Sequence, residues 1–187
     1  MARKKLQSSE LMKATEKLLL EQGYGGFNFS ALSTLLNIGR STLYEYYDSK
    51  DDLIVAYMNE LMVNYTDELG AIVSQENAKS QLLQLIELMI KYAHIHNILK
   101  IIPLLKSDSD AVVKMKQNFV TDHIHIIKDI ETIIENGKQK KVIRGEIPTD
   151  ILVNLLFNTI NKPFSLKIDN KAWAKWIWEI IYTGMKV

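Results

Sequence analysis

Hydrogen-bonding side chains are concentrated in one short stretch of the sequence, between Arg40 and Lys50. If this stretch is helical, Ile38, Leu43 and Tyr47 turn inward together. The outward face then carries Arg40, Ser41, Thr42, Glu45 and Tyr46. Donors and acceptors on one face of a helix can read base edges in the major groove, while apolar residues on the other face hold its angle. The chemistry available to this stretch is therefore recognition of duplex DNA.

A second feature follows directly along the chain. Ser49 has the character of an N-cap and Asp52 stands three residues later, as in a capping box, so a helix is predicted to begin at Lys50. Its first turn offers free backbone N–H groups and an ammonium group, and both suit a phosphate. Taken singly, however, such charges are more typical of a solvated surface, and the nearby tyrosines of a core.

The elements that must position these groups are short helices. The first is predicted over residues 8–22, with Gly23 at a left-handed cap. Asn28 is a good N-cap for the second, and Asn37 tolerates the positive φ of a tight turn into a third helix that begins near Arg40. The predicted inward residues of the first two helices are Leu11, Ala14, Thr15, Leu18, Leu19, Phe29, Leu32, Ser33 and Leu36.

These residues resemble the N-terminal signature of the tetracycline-repressor (TetR) family. The resemblance covers roughly residues 7 to 55. The matching segments are Gly23-Tyr24, Asn28-Phe29-Ser30-Ala31-Leu32-Ser33, Ile38-Gly39-Arg40-Ser41-Thr42-Leu43-Tyr44-Glu45-Tyr46-Tyr47 and Ser49-Lys50-Asp51-Asp52-Leu53. The resemblance implies an all-helical, homodimeric transcriptional regulator, usually a repressor. It also implies a helix-turn-helix DNA-binding domain over residues 1–49 and a helical ligand-binding and dimerisation domain over residues 50–187.

The resemblance also implies roles for single residues. By position it assigns Thr42, Tyr44 and Lys50 to phosphates of double-stranded operator DNA. It leaves Arg40, Ser41, Glu45 and Tyr46 as candidates for base contacts. Family members commonly carry Ser before the cation that opens this helix and Gly after it, whereas this chain reads Gly39-Arg40-Ser41.

Apolar residues recur at helical spacing through the rest of the chain, so it is predicted to be helical as well. We expect a connecting helix over residues 50–73, a helix over 79–96 with His94 on its solvated side, and a helix from Ser107 or Asp108 that Gly137 closes. Two further helices are expected, over residues 149–161 and from about Asp169.

Inward faces of these helices suggest a pocket for a small, hydrophobic effector. The candidate lining is Met62, Met89, Tyr92, His96, Phe119, His123 and Phe157. His96 and His123 are expected to face inward, either as hydrogen-bonded core residues or as polar anchors of the pocket. A metal site is not expected, because the paired histidines are two residues apart and point to opposite sides of a helix.

The last two helices are apolar over most of their circumference, which requires burial on two sides. We expect a homodimer interface there, and the alternative is a helix enclosed within a monomer. The candidate interface residues are Leu152, Leu155, Leu156, Trp173, Trp176, Ile177, Ile180 and Ile181.

Composition excludes several classes of function. The chain has no cysteine, which excludes disulfides and a thiol nucleophile, and no glycine-rich phosphate loop or His-Glu-x-x-His motif. We expect no enzyme, no cofactor, no membrane association and a cytoplasmic location. Residues 1–50 hold seven basic and five acidic side chains, a weak bias that leaves open an all-helical dimeric scaffold or binding protein that does not bind DNA.

Overall fold

The computed structural model describes residues 7–160 and 167–187, without the side chains of residues 96, 97 and 120. In chain order the α-helices are α1 (Ser8–Gly26), α2 (Phe29–Leu36), α3 (Arg40–Tyr44), α4 (Lys50–Val73), α5 (Ala78–Lys91), α6 (Ile95–Leu99), α7 (Asp110–Gln139), α8 (Thr149–Thr159) and α9 (Asn170–Met185). A short 3-10 helix occupies Ile102–Leu104, and the described part of the chain contains no strand beyond one isolated bridge between Ile143 and Lys186. The predicted all-α class is confirmed.

The chain divides into two compact units. Of the described residues, the first unit contains 7–62 and 94–119, and the second contains 63–93, 120–160 and 167–187. The core of the first unit is built mainly from α1, α2, α3 and α4, with Phe27, Leu32, Leu43, Leu53 and Ile54 fully enclosed. In the second unit, α5 packs against α9.

Two of the three local signals around the first helices act as predicted. Gly23 takes a positive φ of 62° but does not end the first helix at residue 22, since the helix resumes beyond this kink and ends at Gly26. The side chain of Asn28 caps α2 by accepting a hydrogen bond from the N–H of Ala31 at 2.9 Å. Asn37 takes the left-handed conformation, with φ 53°. All the residues predicted to face inward on α1 and α2 are buried.

The end of α5 also differs from the prediction. α5 ends at Lys91, not at residue 96, and a short turn separates it from α6. In this turn Tyr92 donates a hydrogen bond from its hydroxyl to Glu68 at 2.7 Å. His94 is not on a freely solvated surface, since its Nε2 lies 3.3 Å from Oε1 of Glu16. Apolar spacing runs through this turn unchanged, so periodicity cannot reveal the break.

Gly137 does not close α7, which continues to Gln139. A Cβ at Gly137 would lie 3.2 Å from Cδ1 of Leu82 and 3.3 Å from the side chain of Ile143, so this glycine permits close packing inside the second unit. The left-handed residue after the helix is instead Lys141, with φ 54°. The helix also begins at Asp110, two to three residues later than expected.

The described helices include none with the length and apolar character needed to cross a membrane.

Candidate nucleic-acid interface

The third helix is held in place by one fully buried side chain. α3 spans five residues, and Leu43 inserts from it into the core of the first unit with no exposed surface. The turn before it is fixed by the N–H of Ile38, which donates to the carbonyl of Ser33 at 3.0 Å. After Tyr44 the chain leaves the helix. Leu43 therefore sets the depth of a very short helix whose other side faces solvent.

The exposed face of this helix carries the predicted hydrogen-bonding groups. Arg40, Ser41 and Glu45 are exposed. Tyr44 and Tyr46 keep 51% and 56% of their surfaces accessible. The ring of Tyr44 packs edge-on against Phe29 at 4.9 Å between centroids, and the guanidinium of Arg40 lies 5.7 Å from its centre. The ring of Tyr44 thus packs against Phe29 while about half of the residue's surface stays accessible.

Thr42 does not belong to the outward face. It is 8% exposed, whereas we expected it beside Arg40 and Ser41. We assumed that Ile38 and Tyr47 lie on the same helix as Thr42 and used them to define its inward face. Both residues lie outside the five-residue helix, so they do not follow its period. Within the helix, Thr42 stands next to Leu43 and shares its buried side.

Lys50 occupies the predicted first position of α4, but its ammonium group already has partners. Nζ donates to the backbone carbonyl of Tyr24 at 2.8 Å and to that of Phe27 at 3.1 Å. It also lies 4.0 Å from the centre of the Tyr24 ring. An ammonium group has three N–H donors, so one remains for another acceptor. The predicted N-cap is present, since the N–H of Asp52 donates to Oγ of Ser49 at 3.2 Å, and the hydroxyl of Ser49 donates in turn to the Asp52 carboxylate.

Sequence reasoning missed Asp51, which is buried in the first unit. Its Oδ2 accepts from the backbone N–H of Lys106 at 2.6 Å and from that of Ser107 at 2.8 Å. The hydroxyl of Tyr24 donates to the same oxygen at 3.3 Å. An acidic residue in the first turn of a helix looks fully explained by the helix dipole, so nothing in the sequence signalled these distant partners.

Two tyrosines near the interface are held in their neutral form. Burial, and then the hydrogen bond to Asp51, raise the pKa of Tyr24 above its ordinary value. Burial and the charge of Glu60 raise the pKa of Tyr47 in the same direction. Both hydroxyls therefore stay protonated at neutral pH.

The candidate pocket residues have mixed environments. Met89 and Tyr92 are buried, and the Tyr92 ring meets the ring of Tyr65 edge-on at 5.4 Å. Burial raises the pKa of Tyr65 to about 12. His123 is exposed and does not face inward as expected, although its ring centre lies 6.5 Å from that of Phe157.

The other candidates are less informative about a pocket. Met62 and Phe119 are half-buried, and the side chain of His96 lies outside the described residues. A groove of about 770 Å³ in the second unit has a polar lining that includes Gln81, Lys128 and Asn136. Within the described ranges, no three His, Asp or Glu side chains are grouped so that they could hold a metal ion.

The candidate interface residues on α8 and α9 differ in how far they are exposed. Four are covered by their own chain: Leu152, Leu156, Ile177 and Ile181. Trp173 is half-buried and donates from Nε1 to the carbonyl of Ile160 at 3.4 Å. Leu155, Trp176 and Ile180 are exposed, and so is Ile151, which the sequence pattern did not single out. Some apolar side chains of these two helices are therefore covered by the chain itself and others form an exposed apolar surface. Only the structure shows to which of the two sets each side chain belongs.

Comparison with known proteins supports the fold and the N-terminal domain. The family model described as "Bacterial regulatory proteins, tetR family" matches residues 11–57. No curated protein sequence matches the chain significantly. The ketosteroid transcriptional regulator KstR2 of Mycobacterium tuberculosis has a similar structure, with a TM-score of 0.76 at 12% identity over 100% of both chains.

Two further solved structures resemble the chain. The TetR family transcriptional regulator PfmR from Thermus thermophilus gives a TM-score of 0.74 at 14% identity, covering 92% of this chain and 97% of that one. The transcriptional regulator FadR from Bacillus subtilis, solved in complex with stearoyl-CoA, gives a TM-score of 0.63 at 18% identity. The match covers 95% of this chain and 99% of that one. At such identities these likenesses establish the fold, and the matched N-terminal segment coincides with α1 to α3 and the start of α4. Residues 11–57 therefore match the N-terminal domain of bacterial regulatory proteins of the tetR family, and the whole chain shares its fold with solved transcriptional regulators.

Proposed function

We propose that the chain is a homodimeric repressor that leaves its operator when it binds a small hydrophobic molecule. The observation that carries this proposal is the exposed face of α3, supported from behind by the fully buried Leu43. We assign operator binding to residues 1–49, and effector binding and dimerisation to residues 50–187. Acting on operator DNA, the protein would work in the cytoplasm, and we assign it no enzymatic activity.

We choose the residues that would contact DNA by the accessibility of their side chains. Base edges are assigned to Arg40, Ser41, Glu45 and Tyr46, and phosphates to Tyr44 and to the remaining N–H of Lys50. Thr42 is buried and is left out of this set. Arginine is suited to the acceptor pair of guanine, and the exposed hydroxyls can bond to bases or phosphates.

Dimerisation is supported by the exposed apolar residues of the last two helices. Ile151 and Leu155 are four residues apart on α8, and Trp176 and Ile180 are four apart on α9, so each pair lies on one helix face. Trp176 and Ile180 expose 54% and 68% of their surfaces. A two-fold dimer would present two α3 helices to half-sites about 34 Å apart, or somewhat more.

DNA binding is tested by selecting duplexes from genomic fragments and measuring their affinity by fluorescence anisotropy. A selected operator should bind at least about a thousandfold more tightly than random DNA. Arg40→Ala should change the preference among selected sequences, because this side chain is assigned to a base. If the wild type binds no selected duplex more tightly than random DNA, the repressor proposal fails. Retained dimerisation with no DNA binding would instead identify a scaffold.

Dimerisation is tested by light scattering coupled to size exclusion. The wild type should run as a dimer at micromolar concentration, and Ile180→Glu should run as a monomer because it places a charge in the proposed apolar contact. Glu179→Gln, an exposed change on the same helix, is the matched control. A monomeric wild type would exclude the homodimer.

The effector class is supported by the complex of FadR with stearoyl-CoA and by mixed apolar and aromatic side chains such as Met89 and Phe157. Stearoyl-CoA is the first probe, with free coenzyme A and stearate as separate controls. We expect the thioester to release operator DNA at micromolar concentrations and the two halves to release it less well. A ligand can act only through a difference in its affinity for the two states.

A further inference from the structure

The first turn of α4 contains a buried carboxylate that DNA contact does not require. Asp51 is 3% exposed, and one of its oxygens, Oδ2, accepts the hydrogen bonds from Lys106 and Ser107. Burying a charge is costly unless hydrogen bonds compensate it. If residues 106 and 107 moved away from Asp51, their two N–H groups and Oδ2 would lose these hydrogen bonds. The contact between this segment and α4 is therefore costly to break.

The neighbouring acid makes a second attachment to the same segment. The hydroxyl of Ser109 donates to Oδ1 of Asp52, and the hydroxyl of Ser49 donates to its Oδ2 at 2.5 Å. α7 begins at Asp110, immediately after this segment. Residues 105–109, which we name the α7 entry segment, are therefore bonded at three points to the first turn of α4.

The same turn of α4 also holds the connection between α1 and α2. Tyr24 donates its hydroxyl to Asp51, and Lys50 donates to the carbonyls of Tyr24 and Phe27. Tyr24 and Phe27 belong to the DNA-binding head, which we define as the segment from the start of α1 to the end of α3. One helical turn thus joins the head on one side to the α7 entry segment on the other.

We propose that Asp51 is a positioning residue for operator recognition, an inference that rests on the proposed function. It fixes the head to the α7 entry segment, so the direction in which α3 is presented depends on where that segment lies. Base readout requires a defined docking angle, whereas the non-specific electrostatic attraction to the DNA backbone tolerates several. Loss of the attachment therefore weakens operator binding more than binding to random DNA.

The test compares Asp51→Ala with Asp51→Asn. Asp67→Ala is the control for removal of an exposed acid from the same helix. In Asp51→Ala, the ratio of operator to random-DNA affinity should fall about tenfold, and amide hydrogen exchange at residues 106–107 should accelerate at least as much. Asp51→Asn should stay close to the wild type in both measurements, because its amide oxygen can replace Oδ2 as the acceptor.

Should Asp51→Ala fail to fold, Ser109→Ala removes the bond to Asp52, together with the long bond of 3.4 Å that its Oγ accepts from the N–H of Val112, and should lower the affinity ratio less steeply. Equal losses for operator and random DNA would show a general effect on folding and would overturn the proposal. An unchanged ratio, or an asparagine variant as impaired as the alanine variant, would overturn it too. The exchange measurement needs no DNA, so a wild type that selects no operator would refute the proposed function while the Asp51 attachment is still tested.

Discussion

Replacing Lys50 with methionine separates two roles of one ammonium group. In the structure, Nζ donates to the carbonyls of Tyr24 and Phe27 and lies over the Tyr24 ring. The proposed function gives its third N–H to a phosphate. Methionine keeps an unbranched apolar chain against the ring and removes only the charge and the donors, so both roles disappear without opening a large cavity.

The expected cost in stability follows from these contacts. Hydrogen bonds with one charged partner contribute about 1.5–3 kcal/mol each, and a cation over an aromatic ring about 0.5–1 kcal/mol. Because Lys50 is half-buried, we take the lower end of these ranges, which gives about 3.5 kcal/mol for the set. A domain stable by about 5–15 kcal/mol remains folded after such a loss. The urea midpoint should fall by about 1.5 M.

The two roles are read by different measurements. Urea unfolding without DNA reports the internal bonds, and the salt dependence of binding to random DNA reports the bond to phosphate. The slope of log affinity against log salt should become less steep by about 0.9 for each phosphate that the protein no longer neutralises. Lys114→Met, at an exposed position on α7, should leave both quantities nearly unchanged. An unaltered urea midpoint would refute the internal role, and an unaltered slope would refute the bond to phosphate.

Three further changes test the positioning of the head. Leu43→Ala should cost about 2–5 kcal/mol of unfolding free energy, because Leu43 is fully buried and anchors α3; a loss below about 1 kcal/mol in urea titrations would contradict this. Asn28→Ala should cost about 1 kcal/mol by removing the cap on Ala31, and Asn28→Ser should recover most of it in the same assay. Because the pKa of Tyr24 is raised in the folded state, its contribution is complete below pH about 10 and is lost as the pH rises through that raised pKa. Tyr24→Phe should therefore show a smaller decrease of stability between neutral and strongly alkaline pH, and an identical decrease would rule this cause out.

Local chemistry in the sequence predicted the elements of the head well. Asn28 and Asn37 act within a few residues of themselves, one by accepting a hydrogen bond from a helix N–H and the other by adopting positive φ. The buried residues of α1 and α2 follow from helical spacing, because both helices have a single buried face. Such signals involve neighbours along the chain, and they need no knowledge of the remaining fold.

Predictions failed where a partner far along the chain decided the outcome. Asp51 resembles an ordinary first-turn acid, yet its partners Lys106 and Ser107 are more than fifty residues away. Gly137 resembles a helix terminator, yet it lies inside α7 because Leu82 and Ile143 pack against it. In both cases the residue type was informative, and the role depended on contacts that spacing does not encode.

The sequence by itself determined the helical class, the helix-turn-helix and the start of α3 at Arg40, because capping, backbone preference and apolar period act over a few residues. Tertiary structure alone decided that Thr42 is buried, that the ammonium of Lys50 bonds to two carbonyls, and which apolar residues of α8 and α9 remain exposed. Each of these outcomes depends on which surfaces meet when distant segments pack together. This packing depends on the whole chain, and it cannot be inferred from a short stretch of sequence.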